Sequence, residues 1–407
     1  MEYSTPQPAI LAIGTAVPPY KRKQAEVGEW MATSLVNYPA QARLIRMMCT
    51  HAGVETRYSC TDDYLLPPHE SRFAPGVSPE RSPSTAERMA IYEREAAPLG
   101  AEAAQRALDD YASKSENQPA DVANRITHLV VASCTGFFAP GLDFVIAQRL
   151  GLPPTAERTL IGFMGCSAMF NCLRTANQIV QANPKALILV VSVELCSLHS
   201  QPEPLRDQLI GASFFADGAS ACVVGTPNEI KSDYFALANF HTSMKPDTEM
   251  EMVWQIGNYG FTLRLSPQIP EHLAEAAPTI LMEFMPDTTP DFWAIHPGGS
   301  AIIDRLAKSF KLDESQVAAS RAVLRDYGNL SSATILFVLA ELQRSFVNQS
   351  QNAALASATI SERKPLTGVA MAFGPGLVIE MAQLDYVPPI PTPLSDPTLV
   401  AIAIGFD

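Results

Sequence analysis

The chain alternates strand-like and helix-like segments, and its strand candidates are apolar at nearly every position. T-H-L-V-V-A-S (127–133), A-L-I-L-V-V-S-V (186–193) and A-S-A-C-V-V-G (219–225) read as strands, with F-V-I-A-Q-R-L (144–150) as a helix between them. A strand without a polar face must be covered on both sides, which leaves an α/β architecture with helices on both sheet faces. The rhythm also occurs twice. In the first half a strand leads to Cys134-Thr135-Gly136, a helix opens at Cys166, and F-A-D-G-A-S-A-C-V-V-G makes a turn and strand. In the second, D-F-W-A-I leads to His296-Pro297-Gly298-Gly299, a helix opens near Asn329, and A-F-G-P-G-L-V-I-E-M-A makes the turn and strand. Two related halves, 1–230 and 231–407, are expected to face each other with a site between them, the break falling near 226–236.

Size agrees, since 407 residues exceed one ordinary core. A formal charge of −13 without a basic stripe argues against nucleic-acid binding, so a phosphate-bearing ligand would need local Lys or Arg. The 7 cysteines are odd in number and include no C-x-x-C pair, which favours reduced thiols over a disulfide framework or a zinc site. No metal is expected. The N-terminus lacks the pattern of a signal peptide, and no apolar run is long enough to span a membrane. A cytoplasmic protein is expected. Proline-rich 67–84 reads as a surface loop and 386–397 as an extended tail.

G-F-M-G-C-S-A-M-F-N-C (162–172) presents Cys166 at the start of a buried helix, where the N-terminus would lower a thiol pKa. His296 ends an apolar strand before Pro-Gly-Gly, and Asn329 follows Tyr-Gly before another apolar helix. These three are the parts of an acyl-transfer site: a thiolate to attack, an imidazolium to keep it ionised, and an amide to hold an oxyanion. The alternatives are a packed core thiol for Cys166 and a helix cap for Asn329. Cys172 has no such setting and reads as interior, while His51, His69, His128, His241 and His272 read as surface. Papain-like hydrolases share the chain order Cys, His, Asn, but their cysteine lies near a mature N-terminus in secreted, disulfide-rich proteins. Here it lies mid-chain.

Six motifs in order carry a resemblance: H-L-V-V-A-S-C-T-G, M-G-C-S-A, F-F-A-D-G-A-S-A, H-P-G-G-S-A-I-I-D, Y-G-N-L-S-S-A and F-G-P-G-L. Over nearly its whole length the chain resembles the type III polyketide synthases, the chalcone synthase family of the thiolase superfamily. The resemblance implies a five-layered αβαβα fold, a homodimer, and iterative condensation of malonyl units from coenzyme A thioesters with no cofactor. It implies that Cys166 carries the starter and that His296 and Asn329 stabilise the enolate left by decarboxylation. Phe215 matches a gatekeeper, with Leu263 where the family has a second phenylalanine. Cys134 and His199 stand for cavity threonines and Trp254 for a wall glycine, with Thr135, Glu194, Ser331, Gly374 and Pro375 also around the cavity. Arg43, Arg46, Gly298 and Ala301 match the coenzyme A mouth. Ala139 stands where a partner subunit supplies a methionine.

These departures argue against a phenylpropanoid starter. V-E-L-C-S-L-H (193–199) is similar to microbial members, so the expectation is a fatty-acyl starter delivered on coenzyme A or an acyl carrier protein. The product would be an alkylresorcinol or alkylpyrone. The nearest alternative is a ketoacyl-carrier-protein synthase III-type enzyme, which performs one condensation with the same three residues.

Overall fold

The computed structural model describes residues 7–356 and 364–389. Its first half runs β1 (Ala9–Ala16), β2 (Tyr20–Lys23), α1 (Gln24–Ser34), α2 (Pro39–His51), β3 (Thr56–Ser59), α3 (Thr85–Ser115) and α4 (Pro119–Arg125). It continues through β4 (His128–Ser133), α5 (Leu142–Leu150), β5 (Glu157–Gly162), α6 (Ala168–Ala182), β6 (Ile188–Leu195), α7 (Arg206–Ala212) and β7 (Asp217–Gly225). The second half has β8 (Tyr234–Met244), the hairpin β9 (Met252–Gly257) and β10 (Gly260–Leu265), α8 (Ile269–Phe284) and β11 (Phe292–Ile295). It ends with α9 (Ser300–Phe310), α10 (Glu314–Tyr327), α11 (Thr334–Ala356), β12 (Leu366–Gly374) and β13 (Val378–Val387).

Strand order shows the duplication. One half-sheet runs β1-β7-β6-β4-β5 and the other β8-β13-β12-β11. In the first, β1/β7 and β7/β6 are antiparallel and β6/β4/β5 parallel; in the second, β8/β13 and β13/β12 are antiparallel and β12/β11 parallel. The half-sheets join only through β1 and β8, at Ala9↔Ala236 and Ile10↔Phe235. A 3₁₀ turn precedes the inner helix of each half, Gly165–Ser167 before α6 and Ser331–Ala333 before α11.

The period of two along each strand builds the layers. Leu189, Val191 and Val193 of β6 face α3, α4 and α5, while Ile188 and Val190 face the inner helices α6 and α11. Ala370 and Ala372 of β12 face the same inner layer, whereas Val369, Met371 and Phe373 face α8, α9 and α10. Three apolar layers therefore separate helix, sheet, helix, sheet and helix, the αβαβα arrangement. Burial of each such aliphatic side chain contributes about 1.5–3 kcal/mol.

Residues 67–84 are less of a surface loop than their prolines suggest. Phe73 is 3% exposed, and the fully buried Arg88 donates to Pro83 O (2.8 Å), Ser82 Oγ (3.0 Å) and Ser200 O (2.9 Å). Arg88 also lies 4.9 Å over the Phe73 ring, so the loop is pinned through one guanidinium. Of the expected tail, Tyr386 and Val387 belong to β13 and 390–397 lie outside the described residues.

The outer layer approaches as closely as a backbone permits at Gly14, where a Cβ would lie 2.2 Å from Ala103 O and 2.4 Å from Ala107 N. Neither strand nor helix backbone can yield cheaply. Gly14→Ala should therefore lower unfolding free energy by about 1–3 kcal/mol, read from urea midpoints. An unchanged midpoint would show that β1 and α3 can separate.

Candidate active site

The chain reverses sharply after β5, with positive φ at Phe163 (58°) and Gly165 (64°), to set Cys166 on the turn leading into α6. Gly165 is required there: a Cβ would stand 2.3 Å from Pro375 Cδ. Gly374 is pressed similarly, its absent Cβ falling 2.5 Å from Ser167 Oγ. The 373–376 turn thus packs directly against the cysteine turn.

Asn329 is 1% exposed and held at both ends of its peptide unit. Its N–H donates to Phe214 O (2.9 Å) and its carbonyl accepts from Ala216 N (2.9 Å), a bridge that pairs it with Phe215. Its Oδ1 accepts from Ser331 N (2.8 Å) and Thr334 Oγ1 (3.4 Å), so the capping role holds too. With Oδ1 engaged, the amide nitrogen is the group left to donate, and Asn329 and Ser331 both hydrogen-bond the Cys166 thiol. His296 follows β11, its N–H donating to Met371 O (2.8 Å). It is 1% exposed, and neither ring nitrogen has a partner among the described residues. An imidazole buried with both nitrogens unused is arranged for something other than the resting protein.

Burial pushes the Cys166 thiol up to about 12, against the Ser331 and Asn329 hydrogen bonds, and pushes the His296 imidazole down to about 3. A helix start and an opposite charge favour an ionised pair. Desolvation opposes it, His296 being fully buried and Cys166 half-buried by contacts distant in sequence.

One cavity joins most of the remaining positions: Cys134, Thr135, Cys166, His199, Phe215, Trp254, Leu263, Ser331 and Pro375 all line it. Phe215 and Leu263 converge over Gly211, where a Cβ would meet Leu263 Cδ2 at 2.6 Å and Phe215 Cδ2 at 3.5 Å. Leu263 faces Trp254 across the β9–β10 ladder, and Trp254 Nε1 donates to Cys134 O (2.8 Å). His199 is a strut: Nε2 bonds Thr135 O (2.8 Å), Nδ1 accepts from Phe261 N (2.9 Å), and the ring stacks on Phe261 at 4.3 Å. Burial pushes it down to about 3, so it is neutral. Glu194 lies fully buried behind the cavity, accepting from Cys134 N (3.0 Å), Thr135 Oγ1 (2.9 Å) and Ser332 Oγ.

Other expected positions lie apart from this cavity. Arg46 is committed to Glu29 by two 2.8 Å hydrogen bonds, and Arg43 is exposed on the same helix. Ser300 Oγ donates to His51 O (2.9 Å), so the α9 start carrying Gly298 and Ala301 abuts the end of α2. Ala139 is exposed and does not line its own chain's cavity. Sequence reasoning missed Val27, Met31, Tyr64 and Leu65 in the cavity lining, and also Cys196, Gly211 and Arg57. Only Cys196, two residues after Glu194, carried a local signal. Among the described residues no group of three or more His, Cys, Asp and Glu could hold a metal, and no helix is long and apolar enough to cross a membrane.

The duplicated αβαβα arrangement is that of thiolase-type condensing enzymes. The family profile "Chalcone and stilbene synthases, N-terminal domain" matches residues 2–228, and its C-terminal counterpart matches 237–388. The chain belongs to the chalcone and stilbene synthase family. It is similar to PKS-I from the brown alga Ectocarpus siliculosus, at 30% identity over 95% of this chain and 100% of that one, with a TM-score of 0.81. It shares its fold with the C-terminal type III polyketide synthase domain of Steely1, a type I/III hybrid from Dictyostelium, at 24% identity, coverage of 94% and 100%, and a TM-score of 0.78. The protein is a type III polyketide synthase, an acyltransferase that condenses malonyl-CoA iteratively onto an acyl-CoA starter.

Burial raises the Glu194 carboxyl from its ordinary 4.5 to about 7 against all its hydrogen bonds. The folded chain therefore holds a proton that the unfolded chain loses sooner. The associated stability is complete below about 4.5 and lost as pH rises through about 7. Glu194→Gln cannot ionise, so its stability relative to wild type should grow steadily across that interval, measured as paired urea midpoints. A constant difference would mean that Glu194 does not titrate there.

Proposed function

We propose that Cys166 receives a medium- or long-chain fatty-acyl starter, extends it two or three times, and releases an alkylresorcinol or alkylpyrone. His296 takes the Cys166 proton, the thiolate attacks the acyl carbonyl, the C–S bond to coenzyme A breaks, and the leaving coenzyme A thiolate takes that proton from His296. The malonyl C–CO₂ bond then breaks. Its electron pair becomes an enolate held by His296 Nε2–H and the Asn329 amide, and the enolate carbon attacks the acyl-enzyme as the Cys166 C–S bond breaks. The single observation carrying this reading is His296, buried with both ring nitrogens unpartnered among the described residues. A donor of that kind supports about 10²–10³ in rate.

The starter class is supported by the lining of the cavity, which is mostly apolar and includes Val27, Met31, Tyr64, Leu65, Phe215 and Leu263. Leu65 is 52% exposed, so the lining extends to the surface. Such a lining suits an alkyl chain. Arg43 and Arg46, with Gly298 and Ala301 at the start of α9, are proposed to receive the coenzyme A end, Arg46 exchanging Glu29 for phosphate. Purified protein incubated with malonyl-CoA and C6–C18 acyl-CoAs should give multiply extended pyrones or resorcinols by mass spectrometry. Cys166→Ala should give none, and Met31→Trp should shift preference to shorter starters. Turnover of aromatic starters alone would overturn the starter assignment, and a single-extension product would favour the ketoacyl synthase reading.

A cytoplasmic homodimer is also proposed. β5 is an exposed sheet edge with Leu160 at 40% and Met164 at 41% exposure, beside the loop carrying Ala139. An apolar open edge is a template for pairing with a second copy. Light scattering should report a dimer, and Leu160→Asp should shift it to monomer; a wild-type monomer would contradict this.

A further inference from the structure

Arg57 is 7% exposed, yet it forms no ion pair among the described residues and its Nε has no partner. Burial lowers its pKa, offset in part through the field by Cys49, Tyr64 and Asp217. A guanidinium so placed is costly unless its hydrogen bonds do something specific.

Its Nη1 donates to two carbonyls, Ala212 O (2.5 Å) and Phe215 O (3.0 Å). Between these, Ser213 O accepts from Gln24 Nε2 (2.6 Å) and Phe214 O accepts from Asn329 N (2.9 Å). Four consecutive carbonyls, from the last residue of α7 onward, are thus each held, two of them by Arg57. A cation is the favoured donor there, because the last turn of a helix leaves carbonyls unpaired at the negative end of its dipole. The same side chain packs on the other half of the protein: a Cβ at Gly328, where φ is +77°, would lie 3.5 Å from Arg57 Cγ and 2.8 Å from Phe214 O. Arg57 therefore lies against both the segment that carries Phe215 and the residue preceding Asn329.

We infer that Arg57, assisted by Gln24, is a positioning residue that holds Phe215 and Asn329 in register, so that the gate over the cavity and the donor to the enolate are placed together. The inference rests on the roles proposed above for those two residues. It predicts a selective defect. Acylation of Cys166 needs the thiol and its opening, whereas decarboxylation needs the Asn329 amide at hydrogen-bond distance from the malonyl thioester oxygen.

The test compares Arg57→Met, Arg57→Lys and Gln24→Met in the full chain. Two rates are read: malonyl-CoA decarboxylation, and Cys166 acylation by a medium-chain acyl-CoA followed by intact-protein mass. Arg57→Met should lower decarboxylation kcat by roughly ten- to a hundredfold and raise KM for malonyl-CoA, because small misplacements are costly in rate. Acylation should stay within about threefold, and Arg57→Lys, which keeps a charged donor, should recover most of the loss. Gln24→Met, which retains Arg57, should show the same selectivity with smaller size, and it decides the matter if Arg57→Met does not fold. Wild-type decarboxylation in the folded variants, or equal losses of acylation and decarboxylation, would overturn the inference. Failure of the wild-type protein to decarboxylate malonyl-CoA would instead overturn the functional reading beneath it.

Discussion

The site depends on one contact, the bridge between Phe215 and Asn329, where backbone from the first half pairs with backbone from the second. The first half carries Cys166 on its 3₁₀ turn, and the second carries His296 just after β11 and Asn329 before its own turn. The bridge seats the Asn329 backbone against the first half, and the contact of Gly165 with Pro375 seats the cysteine turn against the second. Both are main-chain or near-main-chain contacts, which tolerate little displacement. That explains why glycines at 165, 328 and 374 stand where any Cβ would collide.

Burial both builds and opposes the site. The inner apolar layer around α6 and α11 fixes the two turns, and the same enclosure raises the Cys166 thiol and depresses the His296 imidazole. Ionisation of the pair must draw on the helix start, on the donors from Asn329 and Ser331, and on mutual attraction of the charges. A cavity with a mostly apolar lining strengthens each of these. It also suits decarboxylation, which converts a charged group into neutral carbon dioxide and an enolate matched by fixed donors.

The architecture was legible because strands buried on both faces are apolar throughout, and because duplication repeats the same punctuation in the same order. The candidate positions stood out for a related reason: close backbone approaches demand glycine, and Cys166 and Asn329 each follow one, while His296 precedes Pro297-Gly298-Gly299. His199 shows the limit. Its sequence context allows a cavity side chain, but its bonds to Thr135 and Phe261, 60 or more residues away, make it a strut. Arg57 and the cavity-lining Val27, Met31, Tyr64 and Leu65 were illegible because their partners are distant in sequence and their own neighbours carry no pattern. The burial of Phe73 within a proline-rich loop was hidden likewise, since its partner Arg88 looks like an ordinary helix charge.

The most direct measurement is peptide mass mapping of the protein after brief exposure to a fatty acyl-CoA and malonyl-CoA. Three thiols, Cys134, Cys166 and Cys196, line the same cavity, so the map distinguishes the proposed nucleophile from its neighbours. Acyl groups and their successive two-carbon extensions on the Cys166 peptide alone are the result this account predicts. Acylation of Cys134 or Cys196, or an unmodified Cys166 while product accumulates, would contradict it.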